Sequence, residues 1–202
     1  KNNMLLLQGV KDWEKINCYS NVCTHRGHLV ATDFCNSNKL RCMYHGRTFN
    51  MDGTFNHMPG FDKVNNFPTE KDDLQSLPIC NWKNFIFVSL NGDIDIGAVF
   101  NDIEKRIPSY PFNDLTYDIT CSKSWEIDAH WSLYCENYLE GFHVPYVHKG
   151  LAKKIDLSTY ETIILENAIL QISKGETNST VLQNPSNPEI KVYGLYYWIF
   201  PN

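Results

Sequence analysis

Two short segments of the chain each place a cysteine close to a histidine. Cys23 and His25 are separated by one residue, Cys42 and His45 by two, and a glycine follows each pair closely. Residues 26–41 separate the two segments. Thiolates and imidazoles are the donors that suit iron–sulfur clusters and zinc, and glycine permits a tight turn that brings backbone amides close to a cluster. The pattern therefore predicts a metal or cluster site built by two loops.

Two alternatives to a cluster at this first pattern stay open. Cysteine and histidine could fall in two β loops by chance. The four side chains could also hold a structural zinc ion, although zinc sites usually pair cysteine with cysteine and histidine with histidine locally, which this sequence does not do.

A second group of possible ligands follows in the other half of the chain, as Glu140, His143 and His148. Residues three apart share one face of a helix, so Glu140 and His143 are predicted to lie together. On an unbroken helix His143 and His148 would be about 140° apart. Pro145 lies between them and is expected to break the helix, which would let His148 turn back toward His143. The alternative is that all three are polar surface residues near a helix end.

The elements that must position the first group are predicted to be short strands. Runs of β-forming residues, punctuated by turn residues, occur at 4–8, 16–22, 40–42, 48–51 and 85–90. No helical periodicity of useful length is found before residue 100. Residues 1–102 are therefore predicted to form a small all-β domain.

The second group is predicted to lie on a helix of a mixed domain, residues 103–202. A strand-like run at 117–126 precedes apolar residues spaced three and four apart from 131 to 142, which indicates an amphipathic helix. Strand patterns follow at 162–165, 168–173 and 190–200. The fold class predicted for the chain is α+β, with a mostly antiparallel sheet.

Composition excludes several classes of function. The 202 residues are 43% hydrophobic and carry a net charge of -5, with no block of basic residues, so nucleic acid is a poor partner. No apolar run approaches the roughly 20 residues of a membrane helix, and no signal peptide is recognisable. Seven cysteines favour reduced thiols over a disulfide framework. We expect a soluble, cytoplasmic protein without a membrane partner, and we interpret the sequence as a fragment cut at both ends.

The two cysteine–histidine loops closely resemble those of Rieske proteins. The resemblance implies a [2Fe-2S] cluster in which Cys23 and Cys42 hold one iron, and His25 and His45 hold the other. Two imidazoles in place of two thiolates raise the reduction potential above that of all-cysteine clusters. Neither loop carries the extra cysteine of respiratory Rieske proteins, which points to the oxygenase or ferredoxin branch. Residues 58–61 resemble the family's proline loop, which shields the cluster from water.

The second motif resembles the mononuclear-iron motif of aromatic-ring-hydroxylating dioxygenase alpha subunits, the Rieske non-haem iron oxygenases, with some likeness to choline monooxygenases. The resemblance implies a helix-grip catalytic domain, present in its first half, in which His143 and His148 bind a mononuclear Fe(II). The third ligand of that family, an aspartate, would lie beyond Asn202. Glu140 falls where most members have an aspartate that links the Rieske histidine of one subunit, here His45, to an iron ligand of its neighbour.

The function implied by the resemblance is that of an oxygenase large subunit, a mono- or dioxygenase. Electrons from a reductase or ferredoxin would enter the [2Fe-2S] cluster and pass to the Fe(II), where dioxygen is activated to hydroxylate a small organic substrate, aromatic or quaternary ammonium. A homotrimer is expected. Two alternatives stay open, a Rieske ferredoxin-like electron-transfer protein without oxygenase activity and a zinc-stabilised interaction module.

Overall fold

The computed structural model divides the chain into two compact units, Lys1–Ile94 and Asp95–Asn202. It describes residues 5–9, 16–34, 36–90, 92, 95–108, 110–175, 182–184, 187–192 and 194–200. The predicted boundary after residue 102 falls inside a helix that belongs to the second unit. That helix is bound there because the Tyr197 hydroxyl, on a strand of the second unit, donates to the Asp102 carboxylate over 2.6 Å.

Unit 1, Lys1–Ile94, consists of small antiparallel sheets. The first sheet joins β1 (Leu5–Gly9), β2 (Ile16–Ser20) and β6 (Ser76–Leu77), the second joins β3 (Leu40–Arg41), β4 (Thr48–Phe49) and β5 (Phe55–His57), and β7 (Ile79–Trp82) pairs with β8 (Phe85–Val88). In the described part of this unit the helical structure is a 3-10 turn at Glu70–Asp72. The predicted strands at 16–22, 40–42, 48–51 and 85–90 correspond to β2, β3, β4 and β8. Of the run predicted at 4–8, residues 5–8 are described and lie in β1.

The core of unit 1 lies where the first two sheets and their loops meet. Its buried members are Tyr19, Cys23, Val30, Leu40, Cys42, Phe49 and Leu74. Two of the four residues predicted to bind the cluster are therefore core residues, and packing of apolar side chains fixes where their sulfur atoms lie.

Unit 2, Asp95–Asn202, adds helices to antiparallel strands. Its helices are α1 (Gly97–Arg106), α2 (Trp131–Tyr138), α3 (Val144–Val147) and α4 (Lys149–Ala152). Helix α1 was not predicted, although Val99, Phe100 and Ile103 line its buried face at helical spacing. This apolar pattern extends across residue 102, where a domain boundary rather than a helix was predicted.

The sheet of unit 2 has β10 (Ala168–Ser173) between β9 (Glu161–Ile164) and β13 (Gly194–Ile199), and β11 (Leu182–Asn184) pairs with β12 (Asn187–Val192). All these pairings are antiparallel, so the predicted α+β class is confirmed. The single strand predicted at 190–200 is two strands, with residue 193 outside the described residues. No helix in the described ranges is both long and apolar enough to cross a bilayer.

Two predicted elements of unit 2 were wrong. Residues 117–126 form no strand, and a 3-10 turn occupies Ile119–Cys121. The Asp118 carboxylate accepts from the Thr120 backbone N–H over 2.8 Å, a local bond that competes with strand pairing. The helix predicted to reach residue 142 ends at Tyr138, so Glu140 and His143 do not share a helix face.

Candidate metal centres

The two cysteine–histidine loops of unit 1 fold in the same way. In each loop the glycine N–H donates to the cysteine carbonyl, from Gly27 to Cys23 over 2.9 Å and from Gly46 to Cys42 over 3.0 Å. The cysteine N–H donates in turn to the carbonyl five residues further on, over 2.8 Å in both loops. The φ angles of the two glycines are +71° and +75°, in the left-handed region that glycine adopts without strain. The two turns therefore place both cysteines at the same position, whereas His25 is the third residue of its turn and His45 the fourth.

The cysteine thiols form the inner side of the site. Cys23 is 3% exposed and Cys42 is 2% exposed, and the Cys42 side chain is near enough to the Cys23 thiol to raise its pKa. Burial raises the pKa of the Cys23 thiol, since the thiolate form is poorly solvated there. The Cys23 sulfur therefore favours its thiol form, and a metal that binds it must displace a proton.

The imidazoles form the outer side. The His25 and His45 rings lie edge to face with centroids 4.8 Å apart, His45 exposed and His25 half-buried. The structure thus pairs thiol with thiol inside and imidazole with imidazole outside, although the sequence pairs each cysteine with a histidine. A pair of thiols beside a pair of imidazoles suits two irons joined by sulfide, with one pair for each iron. A closed zinc site instead needs four donors around one point. Among the described residues, no three histidine, cysteine or acidic side chains converge in that way.

The loop at 58–61 lies against both ligand loops. Met58 is buried, Pro59 Cγ lies 3.3 Å from the position that a Cβ at Gly46 would take, and the Phe61 ring lies 6.0 Å from the His25 ring. These contacts cover one side of the paired donors with apolar groups, and a side chain at position 46 would push this cover away.

Sequence reasoning missed two charged residues beside these loops. Arg47 is 2% exposed, and its Nη2 atom forms an ion pair with Asp72 Oδ1 over 2.5 Å. An arginine directly before Thr48 and Phe49 of β4, where an apolar side chain would be ordinary, was the available signal. Asp72 gave no signal, because 25 residues separate the two partners.

Glu140 and His143 of unit 2 meet in the break between α2 and α3. Glu140 Oε1 accepts from His143 Nδ1, and Oε2 accepts from the backbone N–H of Phe142 over 2.5 Å and of His143 over 3.3 Å. The predicted contact occurs, but by a turn that curls the backbone around the carboxylate and not by helical spacing. Burial raises the Glu140 pKa, the hydrogen bonds from His143 and Phe142 lower it more, and the pKa lies below its ordinary value.

His143 and His148 lie at the two ends of the single-turn helix α3, with ring centroids 5.0 Å apart. Pro145 was expected to break a helix between them and so let His148 turn back toward His143. It lies instead in the first turn of α3, where proline is tolerated because the N–H it lacks would have no partner within the helix. The two imidazoles lie near each other because helical structure is interrupted at each end of α3, before Val144 and at His148.

A buried glutamine of the sheet anchors this segment. Gln171 of β10 is 1% exposed; its amide N–H donates to the carbonyl of Tyr138, the last residue of α2, and its Oε1 accepts from the Tyr160 hydroxyl over 2.5 Å. A Cβ at Gly141 would lie 2.5 Å from the Tyr160 ring. Glutamine, tyrosine and glycine together fix the turn that carries Glu140.

Residues 3–68 match the Rieske [2Fe-2S] domain family. Over 93% of the chain it is 26% identical to the chloroplastic choline monooxygenase of Arabidopsis thaliana, and over 97% it is 24% identical to the carnitine monooxygenase oxygenase subunit of Acinetobacter pittii. The chain thus contains a match to the Rieske domain and is similar to these two monooxygenases over most of its length. It spans about half the length of these curated relatives, 46% and 53% respectively.

Solved Rieske oxygenases share the fold. The chain aligns over 98% of its length with a quaternary ammonium Rieske monooxygenase at 21% identity, with a TM-score of 0.72, and covers 53% of that chain. It aligns over 93% of its length with naphthalene 1,2-dioxygenase from Rhodococcus sp. at 20% identity, with a TM-score of 0.66, and covers 50% of that chain. The Rieske-domain match carries the expectation of an iron–sulfur cluster in unit 1.

Proposed function

We propose that this chain is the front portion of the large subunit of a Rieske non-haem iron oxygenase, with its [2Fe-2S] cluster held by Cys23, His25, Cys42 and His45. The observation that carries the proposal is the sorting of donors in unit 1, with buried thiols paired inside and accessible imidazoles paired outside. When bound, the cluster supplies one-electron transfer and a mononuclear Fe(II) supplies activation of dioxygen.

On the iron side, His143 and His148 would provide two imidazole ligands, and Glu140 orients the first of them. With His143 Nδ1–H donating to Glu140, the Nε2 atom is left as the metal-binding nitrogen. The ring of His143 is held in place before any metal binds, because the same carboxylate also accepts two backbone N–H groups. An acidic third ligand would come from a part of the protein beyond Asn202.

Glu140 also has the capacity to act as the link between subunits. A carboxylate offers about four lone-pair sites, and three of those on Glu140 have donors. With respect to the described residues, one site is left for the imidazole of His45 from a neighbouring subunit, which would join the two metal centres by hydrogen bonds in a homotrimer. The electron donor would be a reductase or ferredoxin.

A quaternary ammonium compound is the substrate class we favour, over the aromatic compounds that other Rieske oxygenases take. Two of the relatives are named for choline and carnitine, and a solved relative is named as a quaternary ammonium monooxygenase. Hydroxylation with dioxygen would consume two electrons delivered one at a time through the cluster.

The test is metal analysis with low-temperature electron paramagnetic resonance (EPR) of the full-length protein after reduction. We expect a signal of a mixed cysteine–histidine cluster and a separate mononuclear iron. Cys42→Ser should remove the cluster signal, whereas Cys80→Ser, an exposed thiol on β7, should leave it unchanged. His143→Ala should remove mononuclear iron, whereas His57→Ala, an exposed histidine, should not.

Different outcomes would contradict the proposal. A colourless protein with stoichiometric zinc would identify a zinc-stabilised module. A cluster signal with no second iron, unaffected by His143→Ala and without oxygen-dependent turnover, would identify an electron-transfer protein.

A further inference from the structure

Arg47 is a cation buried beside the two ligand loops. Its side chain is 2% exposed, and its Nη2 atom donates to Asp72 Oδ1 over 2.5 Å and to the Asp72 carbonyl over 3.2 Å. Asp72 is itself 18% exposed. Burying a guanidinium is costly unless its partner is well aligned, and leaving it unpaired costs more. Because an apolar side chain would fill the same space at lower cost, packing alone does not account for the pair.

Aromatic rings hold the guanidinium in one position. Its central carbon lies 5.7 Å from the Phe49 ring centroid, 4.9 Å from that of Phe55 and 5.7 Å from that of Phe67. The negative faces of aromatic rings attract a cation, and the rings exclude water from it. The positive charge is therefore fixed in place and poorly screened.

The same charge pair is bonded to both ligand loops. The carbonyl of Arg47 accepts from the Cys42 N–H over 2.8 Å. Thr24, between Cys23 and His25, donates its hydroxyl to the Asp72 carbonyl over 2.7 Å. One turn of the chain, ending at Asp72, thus contacts the first loop through Thr24 and the second through Arg47. The pair lies at a fixed place relative to all four donors.

The charge of Arg47 is placed to act on the whole site. Its backbone continues directly from the second ligand loop, and its partner Asp72 is bonded to Thr24 of the first. A fixed cation that solvent does not screen favours any negative charge added nearby.

We propose that Arg47 raises the reduction potential of the cluster, and that Asp72 sets how much of the arginine charge the cluster experiences. The inference rests on the cluster assignment of the proposed function. One-electron reduction adds one negative charge to the cluster and its ligands, while Arg47 neither exchanges a proton nor forms a bond. A fixed cation stabilises the reduced form, and the neighbouring carboxylate offsets part of that effect.

Redox titration of the cluster in the full-length protein, followed by EPR, tests the proposal. Arg47→Met should lower the equilibrium constant for reduction about tenfold, which is about 59 mV for a one-electron couple. Asp72→Asn should shift the potential upward, because the arginine charge is no longer offset. Arg47→Lys keeps the charge and should stay closer to wild type than Arg47→Met. The double variant Arg47→Met with Asp72→Asn should return toward wild type.

The matched control is Lys71→Met, which removes an exposed cation from the same turn and should leave the potential unchanged, since solvent screens an exposed charge. The inference would be overturned if the reduction potential shifted in the same direction in Arg47→Met and Asp72→Asn, or in neither. Simple loosening of the loops would not give opposite shifts for removal of a positive and of a negative charge. If Arg47→Met cannot retain the cluster, Asp72→Asn decides, and a lowered or unchanged potential refutes the idea. A wild-type protein without a cluster signal would refute the proposed function itself.

Discussion

Gly46 meets two separate requirements in the second ligand loop. Its φ of +75° disfavours any residue with a Cβ, and a Cβ there would lie 3.3 Å from Pro59 Cγ. Gly60 has a similar φ of +77°, but open space surrounds the position of its absent Cβ. Comparison of the two glycines therefore distinguishes the need for a positive φ, which both share, from the need for space beside Pro59, which only Gly46 has.

Gly46→Ala is expected to lower the free energy of unfolding by more than Gly60→Ala. Both variants incur the left-handed strain of about 1–2 kcal/mol, and only the first also forces Pro59 aside. Chemical denaturation of the two variants measures the difference, and loss of the cluster signal on dilution should accompany Gly46→Ala alone. Equal losses in the two variants would show that the contact with Pro59 is unimportant.

Residue types and spacing predicted one shared site for Cys23, His25, Cys42 and His45, and the structure brings the two thiols together and the two imidazoles together. Their binding of a cluster stays a prediction. Spacing also predicted that Glu140 meets His143, for the wrong reason. The ion pair of Arg47 and Asp72 was out of reach, since it depends on how a 3-10 turn packs against a distant strand end. Such partners follow from tertiary packing, on which a single sequence carries no direct signal.

At the scale of elements, helix α2 and strand β10 are joined by the amide of Gln171. Gln171→Leu should lower the free energy of unfolding by about 3 kcal/mol, because the Tyr138 carbonyl and the Tyr160 hydroxyl both lose their buried partner. The change should also reduce mononuclear iron content, since the turn carrying Glu140 is no longer fixed. Tyr160→Phe is the control; it keeps the bond to Tyr138 and should cost about 1 kcal/mol. Iron content equal to wild type in Gln171→Leu would separate this anchor from the metal site.

Helix α1 and strand β13 are joined through Asp102, which accepts from Arg106 Nε over 2.8 Å and from the Tyr197 hydroxyl over 2.6 Å. Burial raises the Asp102 pKa, and the bonds from Arg106 and Tyr197 lower it more, so the folded pKa lies below its ordinary value. A depressed carboxylate pKa contributes stability that is present above the unfolded pKa of about 3.9 and is lost as pH falls through the folded pKa.

Asp102→Asn should therefore destabilise the protein by about 1–2 kcal/mol at neutral pH. The difference from wild type should stay constant from about pH 5 to pH 8 and shrink below about pH 4. Thermal unfolding of both proteins across this range provides the measurement. A difference that does not change with pH would mean that the carboxylate charge contributes nothing.

Elements were predictable from sequence where their periodicity was uninterrupted. β9 and β10 were predicted to within one residue at each end, whereas residues 117–126 were wrong because β-forming side chains there find no neighbouring strand among the described residues. Helix α2 ends four residues early, since the chain turns at Glu140 to bond its own backbone. Local side-chain bonds of this kind override periodicity, and composition does not reveal them.

At the scale of the whole molecule, the two candidate centres lie in different compact units of the chain. If the electron route of the proposed oxygenase crosses between subunits, then Cys42→Ser and His143→Ala variants should each be inactive alone. Mixed oligomers formed from both variants should regain activity, because each supplies the centre that the other lacks. Turnover of a quaternary ammonium substrate before and after subunit exchange is the measurement. Mixtures that stay inactive after verified exchange would restrict the route to one chain.

Because the thiols lie in the interior and the imidazoles at the surface, the two kinds of ligand should differ in their accessibility to reagents when iron is removed. In protein stripped of iron, an acylating reagent specific for imidazole should modify His45 at once, because that ring is exposed. Alkylation of Cys23 and Cys42 should wait for local opening of unit 1, since both thiols are buried. Chemical modification of the iron-free site would therefore begin on its histidine side.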